Sequence, residues 1–178
     1  MSKTAVLVID MLNTYDHPDA DKLAANAAEI IDPLADLIAR TRTRDDVELI
    51  YINDNRGDFS ADGRDLVREA LRGERPDLVK PITPDEGCPF LTKVRHSAFY
   101  ATPLDYLLGR LDVRRIVLTG QVTEQCILYS ALDGYIRHLD VVVPTDAVAS
   151  IFPDLGDAAL EMMRRNMSAD VVKAANCL

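Results

Sequence analysis

The chain has 178 residues, 48% of them hydrophobic and 28% charged, and a net charge of −9. That length suits one ordinary domain with a full core, so a single domain is expected over residues 1–178. An acidic chain repels phosphate backbones, and with pairs such as Arg114-Arg115 and Arg164-Arg165 read as solvated surface, nucleic acid is not an expected partner.

Three cysteines, Cys88, Cys126 and Cys177, are too few and too scattered for a disulfide framework or a zinc site. Reduced thiols, and hence a cytoplasmic protein, are expected. The first apolar run, Ala5 to Ile9, is too short for a signal segment or a membrane span and stops at Asp10, so no membrane is expected either.

Thr4 to Ile9 reads as a strand buried on both faces. Asp21 to about Arg40 carries Leu23, Ala27, Ile30, Leu34, Leu37 and Ile38 at helical spacing, with Pro33 expected to kink or restart it. Val47 to Ile52 is the second strand. A polar loop, Asn53 to Ser60, follows it and could act as a lid. Ala61 to Leu71 forms a short helix. Glu74 to Phe90 holds four prolines and is expected to be irregular, with one short strand near Leu78-Val79. Leu91 to Val94 is read as a strand or its end.

The second half alternates more plainly. Thr102 to Leu111 is a helix, Arg115 to Thr119 a strand, Glu124 to Leu139 a helix with a stripe through Leu128, Leu132, Tyr135 and Ile136. Asp140 to Val143, Leu155 to Met167 and Asp170 to Lys173 complete the pattern as strand, helix, strand. Strands separated by helices imply a parallel, doubly wound sheet in a three-layer α/β/α sandwich. Ligands in such folds bind beyond the carboxyl ends of the strands, where strand order reverses. Asp10, Asn53-Asp54 and the Gly120–Cys126 stretch are all expected on that rim.

Cys126 follows a strand and a glycine and opens a helix. A helix start offers positive potential and unpaired N–H groups. It should lower the thiol pKa, so Cys126 is expected to be alkylated faster than Cys88 or Cys177. Asp10 closes an apolar strand, and desolvation there would raise its pKa toward the range useful for proton transfer. Lys93 lies among Phe90, Leu91, Val94 and Phe99 and could pair with Asp10 and stabilise a thiolate.

Three stretches carry a resemblance. VLVIDMLNTY (Val6 to Tyr15), KVRHSAF (Lys93 to Phe99) and LTGQVTEQCILYSALDGY (Leu118 to Tyr135), the last followed by VVVPTDAVAS, occur in the order and at the spacing of the isochorismatase-like cysteine hydrolases. Nicotinamidases and N-carbamoylsarcosine amidase belong to that family. The chain resembles it over nearly its whole length.

The resemblance implies Asp10, Lys93 and Cys126 as a catalytic triad, with the backbone N–H groups of Val122 and Cys126 as the oxyanion hole. It also implies a cis peptide at Gln121–Val122. Asn13, Tyr15, Phe99 and Ile127 are the expected pocket residues, although core packing explains Phe99 and Ile127 equally well. The implied activity is hydrolysis of a small amide or carbamoyl compound through a Cys126 thioester, with a small-molecule substrate and no cofactor. Two other readings remain: a vinyl-ether hydrolase using Asp10 as general acid, and a non-hydrolytic reactive thiol.

The chain departs from the family pattern at Leu12 and Thr14, where glutamine and aspartate are usual. Nicotinamidases carry an Asp-x-His…His metal site after the second strand, where this chain reads Asn53-Asp54-Asn55-Arg56. His17, His96 and His138 have no ligand spacing either, so no metal is expected, nor is nicotinamide. A homo-oligomer, dimer or tetramer, is implied by resemblance.

Overall fold

Strand β1 (Lys3–Ile9) is the centre of the molecule. The computed structural model describes residues 3–178. Within β1, Ala5, Leu7 and Ile9 face one apolar cluster and Val6 and Val8 another. Successive side chains of a strand point to opposite faces, so a continuous apolar run requires cover on both.

Helix α1 (Ala20–Arg42) supplies one cover through Leu23, Ala27, Ile30, Leu34 and Leu37. Helices α4 (Leu104–Arg110), α5 (Leu128–Ile136) and α6 (Pro153–Asn166) supply the other, with Leu104, Leu108, Ala131, Ala159 and Met163. Two shorter helices, α2 (Gly63–Arg72) and α3 (Pro76–Val79), precede α4.

Around β1 run β2 (Val47–Asp54), β3 (Phe90–Lys93), β4 (Val113–Gln121), β5 (Asp140–Pro144), β6 (Val148–Ala149) and β7 (Asp170–Val172). Among the described residues the sheet order is β3-β2-β1-β4-β5-β7, with β6 added beside the end of β4. The strand pairs are parallel. The chain winds outward from β1 to β2 and β3, then returns to the other side at β4. The reversal therefore lies between β1 and β4, the position where such sheets open a crevice. This is the doubly wound α/β/α sandwich expected from the alternation of elements.

Three local readings change, and one strand was not foreseen. Leu78 and Val79 are helical, not extended; Pro76 stands at the first helical position, where its missing N–H is harmless. Helix α1 runs through Pro33 as one element, so the proline does not restart it; the ladder bond it forfeits belongs to the carbonyl of Glu29, an exposed residue that water can serve. The helix read from Glu124 opens instead with a π turn, Thr123–Ile127. Strand β6 has two residues, too few to show a period. Among the described residues no helix is long and apolar enough to cross a membrane.

Gly120 fixes the approach of β1 to β4. Its φ is 105°, and a Cβ built there would lie 2.1 Å from the carbonyl oxygen of Ile9. Only glycine fits both demands. Gly120→Ala is expected to destabilise the fold by about 3 kcal/mol or more, the sum of a strained φ and an overpacked contact. Urea denaturation of the variant, read against the native midpoint, measures it.

Candidate active site

Four strand ends deliver the site. Ile9 registers with Ile52 and Gly120, and Asp54 registers with Lys93. Asp10, Asp54, Lys93 and Gln121 thus meet at one edge of the sheet, although 111 positions of sequence separate Asp10 from Gln121.

The side chain of Lys93 is 1% exposed. Its Nζ lies 2.9 Å from Oδ2 of Asp10, 3.6 Å from Oδ2 of Asp54 and 3.7 Å from Sγ of Cys126. A buried ammonium without anionic partners would lose its proton. Burial alone would pull Lys93 down, but Asp10, Cys126 and Asp54 outweigh it and hold the amine above its usual range. It stays charged.

Asp10 sits at φ 55° and is anchored on several sides. Its N–H donates to the carbonyl of Ile52, and its Oδ1 accepts from the N–H of Asp54 at 2.8 Å. Its carbonyl accepts from Nε2 of Gln121 at 2.8 Å, and Oε1 of Gln121 accepts from the hydroxyl of Tyr15. Burial raises the carboxyl above its ordinary value of 3.8, while Lys93 opposes that rise.

Cys126 lies inside the π turn, 7% exposed. Its thiol is pushed up to about 12 by burial first and by the charge of Asp10 second; Lys93 and the backbone of Val122 oppose this. The depression expected from a helix start is therefore reversed. The turn sits ahead of α5, and burial, followed by the neighbouring carboxylate, outweighs the helix field.

This reversal has a chemical meaning. Losing the thiol proton to bulk water would leave two buried anions, thiolate and carboxylate, around one ammonium. Passing the same proton from Sγ to Asp10 leaves the charge of the site unchanged. Only the second route avoids the burial penalty, so proton transfer inside the pair is the accessible one. The backbone N–H of Val122, which supports the sulfur, belongs to the cis peptide Gln121–Val122. Glu124 pins the turn from behind, its Oε1 accepting from the N–H groups of Ile151 and Phe152, each at 2.9 Å.

A cavity of about 360 Å³ opens beside Asp10, lined by Asn13, His17, Asn53, Arg56, Gln121 and Gln125 among others. Asn13, one of the expected pocket residues, lines this cavity. Tyr15, Phe99 and Ile127 do not line this cavity. Tyr15 is buried and spends its hydroxyl on Gln121. Phe99 and Ile127 belong to the core beneath α4 and α5, where Arg137 stacks on the Phe99 ring at 4.8 Å.

The Asn53–Ser60 stretch is tied down at its start. Oδ1 of Asn53 accepts from the N–H of Leu12, and its Nδ2 donates to the carbonyl of Leu12, so neither amide atom is free to ligate. Among the described residues no group of three or more His, Cys, Asp and Glu side chains is placed to hold a metal ion. The three cysteines are free thiols.

Sequence reasoning passed over three contributors. Gln121 was read only as part of the cis peptide, yet it fastens Asp10. Asn53 was a rim residue, yet it fixes the loop after β1. His96, set aside as a metal ligand, brings Nδ1 to 3.9 Å from Sγ of Cys126. Its position three residues beyond Lys93 in KVRHSAF was the available signal.

An isochorismatase domain model matches residues 4–176. The isochorismatase family protein YaaI of Bacillus subtilis (strain 168) is 34% identical over 173 residues, covering 96% of this chain and 95% of YaaI. An isochorismatase-like hydrolase from Alkaliphilus metalliredigens superposes with a TM-score of 0.78 at 26% identity, over 98% of this chain and 93% of the other. N-carbamoylsarcosine amidase from Thermoplasma acidophilum gives a TM-score of 0.75 at 26% identity, over 97% and 96%.

Because Asp10 raises the Cys126 thiol, Asp10→Asn should lower it. The midpoint of the pH profile for iodoacetamide alkylation at Cys126 is expected at lower pH in that variant than in the native protein. An unchanged or higher midpoint would mean that the carboxylate is not what holds the thiol up.

Proposed function

The chain belongs to the isochorismatase family of hydrolases, and from that premise we propose that it is a metal-independent cysteine hydrolase of small amide or carbamoyl compounds. The observation that carries this reading is Lys93, whose Nζ touches both the carboxylate of Asp10 and the sulfur of Cys126.

Sγ of Cys126 attacks the carbonyl carbon as Asp10 takes the thiol proton. The oxyanion forms against the N–H groups of Val122 and Cys126. When the C–N bond breaks, Asp10 gives the proton to the leaving nitrogen. Water then hydrolyses the thioester. Lys93 stays charged throughout and keeps Asp10 placed between donor and acceptor. The reaction draws its nucleophile from the thiol, so no metal-activated water is needed. Polar side chains in the adjoining cavity, Asn13, Arg56, Gln121 and Gln125, suit a small, hydrogen-bonding substrate. The similarity to an N-carbamoylsarcosine amidase points to the same class.

A second reading uses Asp10 as general acid on a vinyl ether. The raised Asp10 carboxyl favours it, but that chemistry leaves the packed thiol without a role.

Self-association is part of the proposal. On α5, Tyr129, Leu132, Tyr135 and Ile136 are each at least 43% exposed, which suits an interface between copies of this chain. A sedimentation mass of one chain would contradict it.

A panel of small amides, ureas and carbamoyl compounds, assayed with native protein and Cys126→Ala, separates the readings. Ammonia release lost by at least about 10³-fold in the variant is expected of a covalent nucleophile. Pyruvate release from isochorismate that survives the substitution would favour the ether reading. With the amide substrate, Asp10 must be ionised to accept the thiol proton. Its raised pKa places the acid limb of kcat/KM above 3.8, with activity present above the limb and lost as pH falls through it.

A further inference from the structure

Resting on the thioester reading, we propose that His96 is the base that activates water for hydrolysis of the acylated Cys126. The sulfur has two different sides. Behind it stand Lys93 and Asp10, whose side chains are 1% and 15% exposed. In front of it stands His96, an exposed residue whose Nδ1 lies 3.9 Å from Sγ.

The ring is held, not free. It packs against Tyr129 with centroids 5.5 Å apart and planes at 54°. The chain just beyond it is stapled to α5. Oγ of Ser97 donates to Asp133 at 2.6 Å, and the N–H of Ala98 donates to Oγ of Ser130 at 2.9 Å. The backbone therefore carries Lys93 into the interior and, three residues later, presents His96 at the mouth of the same thiol.

Water that reaches an acyl group on Cys126 comes from the solvent side, where the imidazole is. One ring nitrogen of neutral His96 takes a proton from water as the water oxygen bonds to the thioester carbon. The tetrahedral intermediate collapses, the C–S bond breaks, and its electron pair goes to sulfur. The imidazolium returns its proton to the sulfur, and the acid product leaves. Thiol and neutral imidazole are both regenerated, so no further reactant is required. Asp10 and Lys93 then serve acylation, and His96 serves deacylation.

p-Nitrophenyl acetate tests this without knowledge of the natural substrate, because acetylation of Cys126 releases p-nitrophenol before water is used. In His96→Gln the first turnover is expected to stay within about threefold of native. Steady turnover should fall by about 10²-fold, the usual contribution of a general base, and intact mass should show the acetyl group accumulating on Cys126. Imidazole added to His96→Ala should restore steady turnover while leaving the first turnover unchanged. Native steady turnover in His96→Gln, or a first turnover that drops as far as the steady rate, would overturn the assignment to deacylation. Absence of an acetyl group on Cys126 in both native and variant proteins would instead remove the thioester reading, and this inference with it.

Discussion

A charged lysine buried at the end of an edge strand is the constraint around which the site is arranged. Removing an ammonium from water is expensive, and the attraction of a partner offsets this only with close geometry and further hydrogen bonds. Lys93 has those terms: the Asp10 carboxylate at 2.9 Å, with Asp54 and the Cys126 sulfur farther out. Asp10 in turn depends on Lys93, since its own burial drives it toward the neutral acid. Each ion is tenable because the other is present. The thiol beside them is held protonated by its burial and by the charge of Asp10, against the pull of Lys93. In the proposed chemistry that arrangement is useful, because a proton can pass between sulfur and carboxylate without any net charge being created.

Sheet topology is what brings the pair together. β1 and β4 are adjacent, and β2 and β3 lie beyond β1, so the strand ends carrying Asp10, Gln121, Asp54 and Lys93 open on one crevice. Gly120 lets β4 close against the carbonyl of Ile9. β6 then registers Val148 and Ala149 with Gly120 and Gln121, backing the loop that leads to Cys126. Glu124 ties that loop to Ile151 and Phe152. The sulfur is therefore placed by rigid elements on every side, as a preorganised nucleophile requires.

Much of this was legible in the sequence, and the failures have physical causes. The run Thr4 to Ile9 announced a strand buried on both faces because nothing else tolerates so continuous an apolar stretch. Alternation of strands and helices then gave the parallel sheet and placed Asp10 and Cys126 on one rim. Periodicity does not see a two-residue strand, so β6 was missed. In the Pro-rich stretch Leu78-Val79 looked extended because apolar doublets carry no period, whereas Pro76 was free to start a helical turn. The direction of the thiol shift was misread because helix position is local information, while the burial of the thiol and, after it, the charge of Asp10 are set by parts of the chain remote in sequence. Gln121, Asn53 and His96 were overlooked for the same reason. Their roles come from contacts across the sheet edge, and residue type alone does not report those.

The central claim is the mutual dependence of Lys93 and Asp10, and a double-mutant cycle on stability tests it most directly. Lys93→Met, Asp10→Asn and the double variant would be compared by urea denaturation at neutral pH. Lys93→Met alone should cost about 3–5 kcal/mol, the range for removing one partner of a buried pair. The double variant should recover a large part of that loss, because no charge is then left without a partner. Losses that simply add would show two residues that stabilise the fold independently, and the coupled pair on which the account rests would not exist.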